Sequence, residues 1–187
     1  MEFREIVQSI QPLAEEQFQL LNGICEVIEV PKNKVFIEAD KHSHYLYFQK
    51  EGICRIYYNK LEKEVVLGFT FPGEALISLN SYILQQPGYE NFQALEDSQL
   101  YRLPIKDLEE LYSTHIEIAN WGRRLAELEG LKIEDRLMLR LFKSSKESYE
   151  ELLKKAPNIT NRIKLGYIAS YLGITQVTLS RIRGIRK

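Results

Sequence analysis

The spacing of hydrophobic positions changes character along the 187-residue chain. Over residues 2–21, Phe3, Ile6, Val7, Ile10, Leu13, Phe18, Leu20 and Leu21 recur at helical intervals, with Pro12 between them. That pattern predicts two short helices. From Gly23 to Leu103 the texture becomes short β-branched and aromatic runs, many alternating apolar with polar residues: ICEVIEV, KVFIEA, HYLYFQ, ICRIYYN, EVVLGFTF, NFQALE and SQLYRL. Alternation is the period of a strand with one buried face. Pro31-Lys32-Asn33, Lys50-Glu51-Gly52, Asn59-Lys60, Pro72-Gly73 and Pro87-Gly88 punctuate the runs as turns. Glu51-Gly52 predicts a tight hairpin between HYLYFQ and ICRIYY.

After Pro104 the strand texture stops and residues 105–143 read as long, leucine-rich helix. Trp121, Leu125 and Leu128 recur at spacings of four and three, and Leu131 follows, a coiled-coil-like seam that Lys132 and Asp135 interrupt. The seam admits two readings, docking of the helix on its own β-domain or pairing with a second copy. The helix length and its apolar residues on more than one face predict both together. SKESYEELLKKA then predicts a new helix with Ser144 or Ser145 as N-cap and Glu147 in its first turn. Two last helices follow, Asn161 to Leu172 and Thr175 to about Arg183.

The expected fold is therefore α+β in three parts. Residues 1–112 form a jelly-roll, or double-stranded β-helix, with helices at its N-terminus. Residues 113–143 form a long dimerisation helix, and residues 144–187 a helical helix-turn-helix domain.

Charge sharpens this division. The whole chain has a net charge of only -1, yet from Leu152 to Lys187 there is no Asp or Glu and there are eight cations: Lys154, Lys155, Arg162, Lys164, Arg181, Arg183, Arg186 and Lys187. An acidic body joined to a basic end implies a polyanionic partner for that end, against the plainer reading of an unevenly charged solvated surface.

The residues of that end supply the geometry. Ile168, Ala169 and Leu172 share the inner face of one helix, and Ala169 is small enough for another helix to cross it closely. Gly173 ends that helix where a left-handed conformation is needed, Ile174 plugs the turn, and Thr175 can N-cap the next helix. Leu179 and Ile182 point back to the core, which leaves Gln176, Val177, Ser180, Arg181 and Arg183 outside. The alternative is an ordinary helical hairpin, but Ala-x3-Gly-Ile-Thr with an acid-free outer face points to a unit that lies in a DNA major groove. Gln176, Val177 and Arg181 are then the candidates for base edges, and Thr175, Thr178, Ser180 and Arg183 for phosphates.

Other chemistry is weaker. Cys25 and Cys54 make neither a disulfide framework nor a four-ligand metal site, and both read as reduced core thiols. The start lacks the basic-then-apolar order of a signal peptide, and no window supplies the ~20 apolar residues of a membrane span, so a cytoplasmic protein with no membrane partner is expected. No metal, no cofactor and no catalytic constellation are expected.

A β-roll, a long helix and this terminal unit together resemble the Crp/Fnr transcription regulators. IASYLGITQVTLSRIR is similar to their short-tailed, Bacteroidetes-type members. Tyr45-Leu46-Tyr47-Phe48, Glu51-Gly52 and Phe71-Pro72-Gly73-Glu74 match the family's usual β-region pattern. The resemblance implies a homodimer paired along the long helices through Trp121, Leu125 and Leu128. It implies two reader helices ~34 Å apart in successive major grooves. Double-stranded DNA, RNA polymerase and a small-molecule effector are the implied partners, and the ligand pocket would involve Phe71, Gly73, Glu74, Ser78 and Tyr89. Cyclic-AMP-binding relatives offer a glutamate to the ribose and an Arg-Ser pair to the phosphate. Those positions fall here on Ser78 and near Gly88-Tyr89, and no Arg or Lys lies between Gly68 and Tyr101. A buried cyclic phosphate would lack a cation, so cAMP is not expected to bind. Two cysteines are too few for the iron–sulfur cluster of the oxygen-sensing branch, and His42, His44 and His115 read as surface or loop histidines rather than haem ligands. The chain ends just past the last helix, so the wing of longer relatives is expected to be short or missing.

Two competing functions remain. A cupin-type metalloenzyme would use His42-Ser43-His44, but Phe48 or Gln49 stands where its glutamate should be. A cyclic-nucleotide signalling module without a DNA role would leave the acid-free end unexplained.

Overall fold

The computed structural model describes residues 1–61 and 63–184. Helices α1 (Phe3–Ile10) and α2 (Glu15–Gly23) open the chain on either side of Pro12. Eight strands follow: β1 (Glu26–Val30), β2 (Val35–Ile37), β3 (Tyr45–Glu51), β4 (Cys54–Lys60), β5 (Lys63–Thr70), β6 (Ala75–Leu76), β7 (Asn91–Ala94) and β8 (Ser98–Pro104). They form two antiparallel sheets of four, in the orders β1-β8-β3-β6 and β2-β7-β4-β5. The short strand β6 and the helix α3 (Leu79–Leu84) that follows it have too few periodic positions to show in the sequence pattern.

The expected hairpin at Glu51-Gly52 is not one. β3 pairs with β6 and β8, whereas β4 pairs with β5 and β7 in the other sheet, so the chain switches sheets at this corner. Gly52 has φ +91°, and a Cβ there would sit 2.2 Å from Ser98 Oγ, so the corner needs glycine for both conformation and space. The hairpin is one strand later, where Lys60 pairs with Lys63 across the tip of β4 and β5.

The two sheets are apolar on both sides. Tyr47, Cys54, Leu76, Phe92, Ala94 and Leu100 fill the space between them. Leu46, Phe48, Tyr101 and Leu103, on the outer face of the first sheet, pack on Phe3, Ile6, Val7 and Phe18. Ile53, Val66, Phe69 and Leu95 face outward from the second sheet and are covered by the C-terminal helices. This layering of helices, sheet, sheet and helices buries β3 from Leu46 to Gln49 without alternation, unlike the one-faced strand the pattern suggested. Cys54 lies in the inter-sheet core, and burial pushes its thiol up to about 12; Cys25 is half-buried and raised to about 12 for the same reason.

Residues 105–143 are two helices, α4 (Ile105–Thr114) and α5 (Ile116–Phe142), not one. The break at His115 has no proline. His115 N–H still donates to the Leu111 carbonyl at 2.9 Å, but its own backbone is extended (φ -132°, ψ 105°), and that single residue ends α4 and lets α5 start in a new direction. α4 folds back on α5, with the Tyr112 ring against Gly122, where a Cβ would come within 2.5 Å of it. α6 (Ser145–Lys155), α7 (Ile159–Arg162), α8 (Leu165–Tyr171) and α9 (Gln176–Gly184) complete the chain. Ser144 is the N-cap of α6, in a reciprocal capping box with Glu147. The helix expected over 161–172 is split at Ile163-Lys164, whose extended backbone separates α7 from α8. Among the described residues no helix is long and apolar enough to cross a membrane.

The seam expected at Trp121, Leu125 and Leu128 is largely consumed within the chain. Trp121 is fully buried against Phe48 and the first helix, and its indole N–H donates to the carbonyl of Val7 at 3.1 Å. Leu125 is buried in the same cluster and Leu128 is half-buried, so Trp121 and Leu125 have no side-chain surface for a partner. An indole at the start of α5 finds a carbonyl and an apolar wall on its own domain before it could meet a second helix. Farther along, Leu131, Ile133, Leu137, Met138, Leu141 and Phe142 are exposed, Phe142 at 73%.

Candidate nucleic-acid interface

Helices α8 and α9 are joined by a turn whose backbone bonds define it. Ile174 N–H donates to the Ala169 carbonyl at 3.0 Å and Gly173 N–H to Ser170 at 3.1 Å, with Gly173 at φ +68°. This is a Schellman motif, and its left-handed position is filled by glycine at low cost. Thr175 then caps α9: its hydroxyl accepts from Thr178 N–H at 3.2 Å and lies 3.1 Å from the Thr178 hydroxyl. Gly166 leaves room for a side chain of α9. A Cβ at Gly166 would meet the Gln176 amide at 2.6 Å, so Gln176 leaves α9 lying over the start of α8. Ile168, Ala169 and Leu179 are buried together.

The seven residues expected at a DNA surface all lie outside this core. Thr175, Gln176, Val177, Thr178, Ser180 and Arg181 are exposed and Arg183 is half-buried. Val177 is 62% exposed, a large apolar side chain held out on a polar face. Arg181 and Arg183 have no carboxylate within ion-pair distance among the described residues, and Arg186 and Lys187 lie outside those residues.

The remaining cations of the basic end are used differently. Lys155 pairs with Glu74 at 2.5 Å, Arg162 pairs with Glu96, and Lys154 pairs with Glu151. The first two contacts cross to the β-roll. Ser170 on α8 adds a third, accepting from Val66 N–H at 3.0 Å and donating to the Glu64 carbonyl at 3.2 Å. β5 is the edge of its sheet, and one serine satisfies two of its free backbone groups. Arg55 completes the joint. It is fully buried, donates to Gln93 at 2.7 Å and Glu64 at 2.6 Å, and lies between the rings of Tyr57 and Tyr167, each 4.0 Å away. The basic domain therefore spends one face on the acidic body and presents the other, α9, outward. Arg55 and Ser170 escaped the sequence reading. Arg55 sits in an ordinary strand alternation, and its ring partner Tyr167 belongs to a distant helix.

The five residues expected at a ligand pocket do not converge. Phe71 and Glu74 face α6, where Glu74 accepts from Phe71 N–H at 3.0 Å and pairs with Lys155. Gly73 (φ +93°) lies against Met1. Ser78 is buried beside Gly88, its hydroxyl without a hydrogen-bond partner, and Tyr89 is exposed against the ring of Tyr58. Phe71, Gly73 and Glu74 thus lie by α6 and Met1, while Ser78 lies beside Gly88, next to Tyr89. Between the sheets the space near them is occupied by Phe36, Tyr47 and Phe92, packed ring to ring. His42 and His44 stack with ring centroids 6.1 Å apart, and among the described residues no three His, Cys, Asp or Glu side chains come together as a metal site.

Residues 27–115 match the family described as "Cyclic nucleotide-binding domain". No curated protein matches the sequence. Among solved structures, FixK2 from Bradyrhizobium japonicum superposes with a TM-score of 0.74 at 19% identity, covering 86% of this chain and 83% of that one. The c-di-GMP responsive global regulator CLP from Xanthomonas campestris gives 0.71 at 12% identity, over 92% of each chain. A protein from Eubacterium rectale described as a transcriptional regulator of the crp/fnr family gives 0.72 at 18% identity, over 93% of this chain and 84% of that one.

Proposed function

We propose, for a chain whose residues 27–115 belong to the cyclic nucleotide-binding domain family and whose fold is that of the Crp/Fnr regulators, that it is a sequence-specific DNA-binding transcription regulator acting as a homodimer. The observation that carries this reading is the placement of α9. The basic domain turns its ion-paired side to the β-roll and leaves Gln176, Val177, Ser180 and Arg181 outward on one helix with no acid beside them. In the groove, Gln176 would bond adenine, Arg181 guanine, and Val177 would touch a thymine methyl. Thr175, Thr178, Ser180 and Arg183 would meet phosphates. Thr175 and Thr178 use one hydroxyl contact in the cap, which leaves lone pairs and a proton for a phosphate-bound water.

Dimer formation falls to the half of α5 its own domain leaves bare. Leu131, Met138 and Phe142 are exposed and continue the heptad spacing from Leu128, with Asp135 among them, and Leu137 and Leu141 run alongside. A second copy covers such a stripe with the same stripe reversed by a two-fold axis. The β-roll does not take cAMP in this reading, because no cation stands between Gly68 and Tyr101 and the inter-sheet space is filled with aromatic rings.

Selection from a random duplex library at low ionic strength tests the reading. Recovery of a two-fold symmetric motif with half-sites one helical turn apart supports it. Failure to retain any duplex overturns it.

A further inference from the structure

A cavity of about 470 Å³ lies where the β-roll, the long helix and the basic domain meet. Gly68, Phe69 and Phe71 form one wall, α5 another through Lys132 and Arg136, and α6 and α8 close it with Ser148, Lys155 and Tyr171. This size is in the range of small-molecule sites. Its chemistry is uneven. Four cations line it, with Lys154 the fourth, beside the carboxylates of Asp135 and Glu151; Lys132 pairs with Glu129, Lys154 with Glu151 and Lys155 with Glu74, which leaves Arg136 as the uncompensated charge among the described residues. Glu151 is already engaged by Lys143 and Lys154. Arg136 is half-buried and, among the described residues, has no carboxylate within ion-pair distance. Its guanidinium lies over Gly68, where even a Cβ would be in contact at 3.4 Å. The Phe69 and Tyr171 rings lie 5.3 Å apart on the same wall, and Lys155 stands over the ring of Phe71.

We propose that this cavity binds a small planar anion, an aromatic ring carrying a phosphate or carboxylate, at a site separate from the interior of the β-roll. A guanidinium fork is matched to a phosphate or carboxylate and takes it bidentately, and Lys155 supplies a second charge at the same mouth. The rings of Phe71 and Tyr171 offer the faces a planar ligand needs. The position makes the site consequential. Its walls come from β5, from α5 and from the helices of the basic domain, so an occupant bears on the angle between α5 and the domain that carries α9. Ligand and DNA affinity then change together by a common factor. Binding itself is independent of the regulator reading; only this coupling rests on it.

Calorimetric titration of the full chain with AMP, UMP and salicylate is the experiment. At least one of the three is expected to bind once per chain, with a Kd below about 1 mM. Arg136→Met and Lys155→Met are each expected to weaken that binding about tenfold, as expected when a charge-assisted bond is removed. Ser148→Phe, which fills the cavity without touching a cation, should abolish it, while thermal melting shows each variant folded. No binding by any of the three overturns the proposal. So does binding that survives both Arg136→Met and Ser148→Phe, which would place the ligand elsewhere. If the ligand binds as expected but leaves duplex affinity unchanged, the site stands and the coupling is wrong.

Discussion

The two halves of α5 carry similar apolar spacing and meet opposite fates. In the first, Ile118, Trp121 and Leu125 are buried against the β-roll and α1. In the second, Leu131, Leu137, Met138 and Phe142 are exposed, while the roll is met by the polar ends of Arg136, over Gly68, and Arg140, at the Val66 carbonyl. Periodicity reports that a stripe needs cover. It does not report what supplies it, because cover depends on where the helix runs relative to the rest of the fold. Here the second half of α5 meets its own chain through Arg136, Leu139 and Arg140, and the apolar stripe beside them is left exposed.

The largest test of the contrast is Trp121→Ala. It removes a fully buried indole and leaves the Val7 carbonyl without that donor, and it is expected to cost about 3–5 kcal/mol in denaturant unfolding. The opposing change is the pair Met138→Glu and Phe142→Glu. In the second half those residues touch little of their own chain, so the monomer's unfolding free energy is expected to shift by no more than about 0.5 kcal/mol per substitution. Sedimentation velocity should instead show the dimer replaced by monomer. If the glutamate pair unfolds the chain as Trp121→Ala does, the two halves do not differ as described. If the pair leaves a dimer, the exposed stripe is not its seam.

This contrast also marks how much was legible. The switch from helical to strand period at Gly23 and back at Pro104 was written in the sequence, because alternation and 3.6-residue spacing are local properties. So was the corner Gly173-Ile174-Thr175, where each residue does its work within one turn of its own backbone. What escaped was set by distant partners. Glu51-Gly52 looks like a hairpin because a glycine turn between strands is the same locally whether the strands pair or part. The break at His115 is made by the extended backbone of one residue, with no proline to announce it. Phe71 and Glu74 take Lys155 of α6 as a neighbour and Ser78 takes Gly88, partners that their own stretch of sequence does not name. Arg55 is invisible as an anchor until Tyr167, more than a hundred residues later, comes to rest on it.

In the proposed reading, the outward face of α9 extends the contrast to a third kind of cover, a nucleic acid. Arg181→Ala is expected to cost about 1–3 kcal/mol of discrimination between a selected duplex and one altered at a single guanine, read by competition binding. Neither dimer formation nor the unfolding midpoint should move, because Arg181 is exposed and unpaired among the described residues. Loss of the dimer in this variant would place the residue in the protein interface and leave the groove reading without its main side chain.

The smallest effect belongs to the corner where the bare half of α5 stops. Ser144 caps α6 by accepting from Glu147 N–H, and the Glu147 carboxylate in turn accepts from the Ser144 hydroxyl at 2.7 Å and backbone N–H at 2.8 Å. Those bonds hold the Glu147 carboxyl below the usual carboxylate range. Ser144→Ala is expected to cost about 1 kcal/mol. The sign with pH follows from the direction of the shift. A carboxyl depressed in the folded state adds stability that is present above its unfolded value and is lost as pH falls through its folded one. Stability of the wild-type chain should therefore fall more steeply on acidification than that of Ser144→Ala, since the hydroxyl's hydrogen bond is the main thing that favours the ionised carboxyl. Equal acid slopes would mean that the hydroxyl contributes nothing to the ionised form. An altered sedimentation coefficient in Ser144→Ala would mean the dimer seam reaches past Phe142 into α6, and the division of α5 into a covered and an uncovered half would have to be redrawn there.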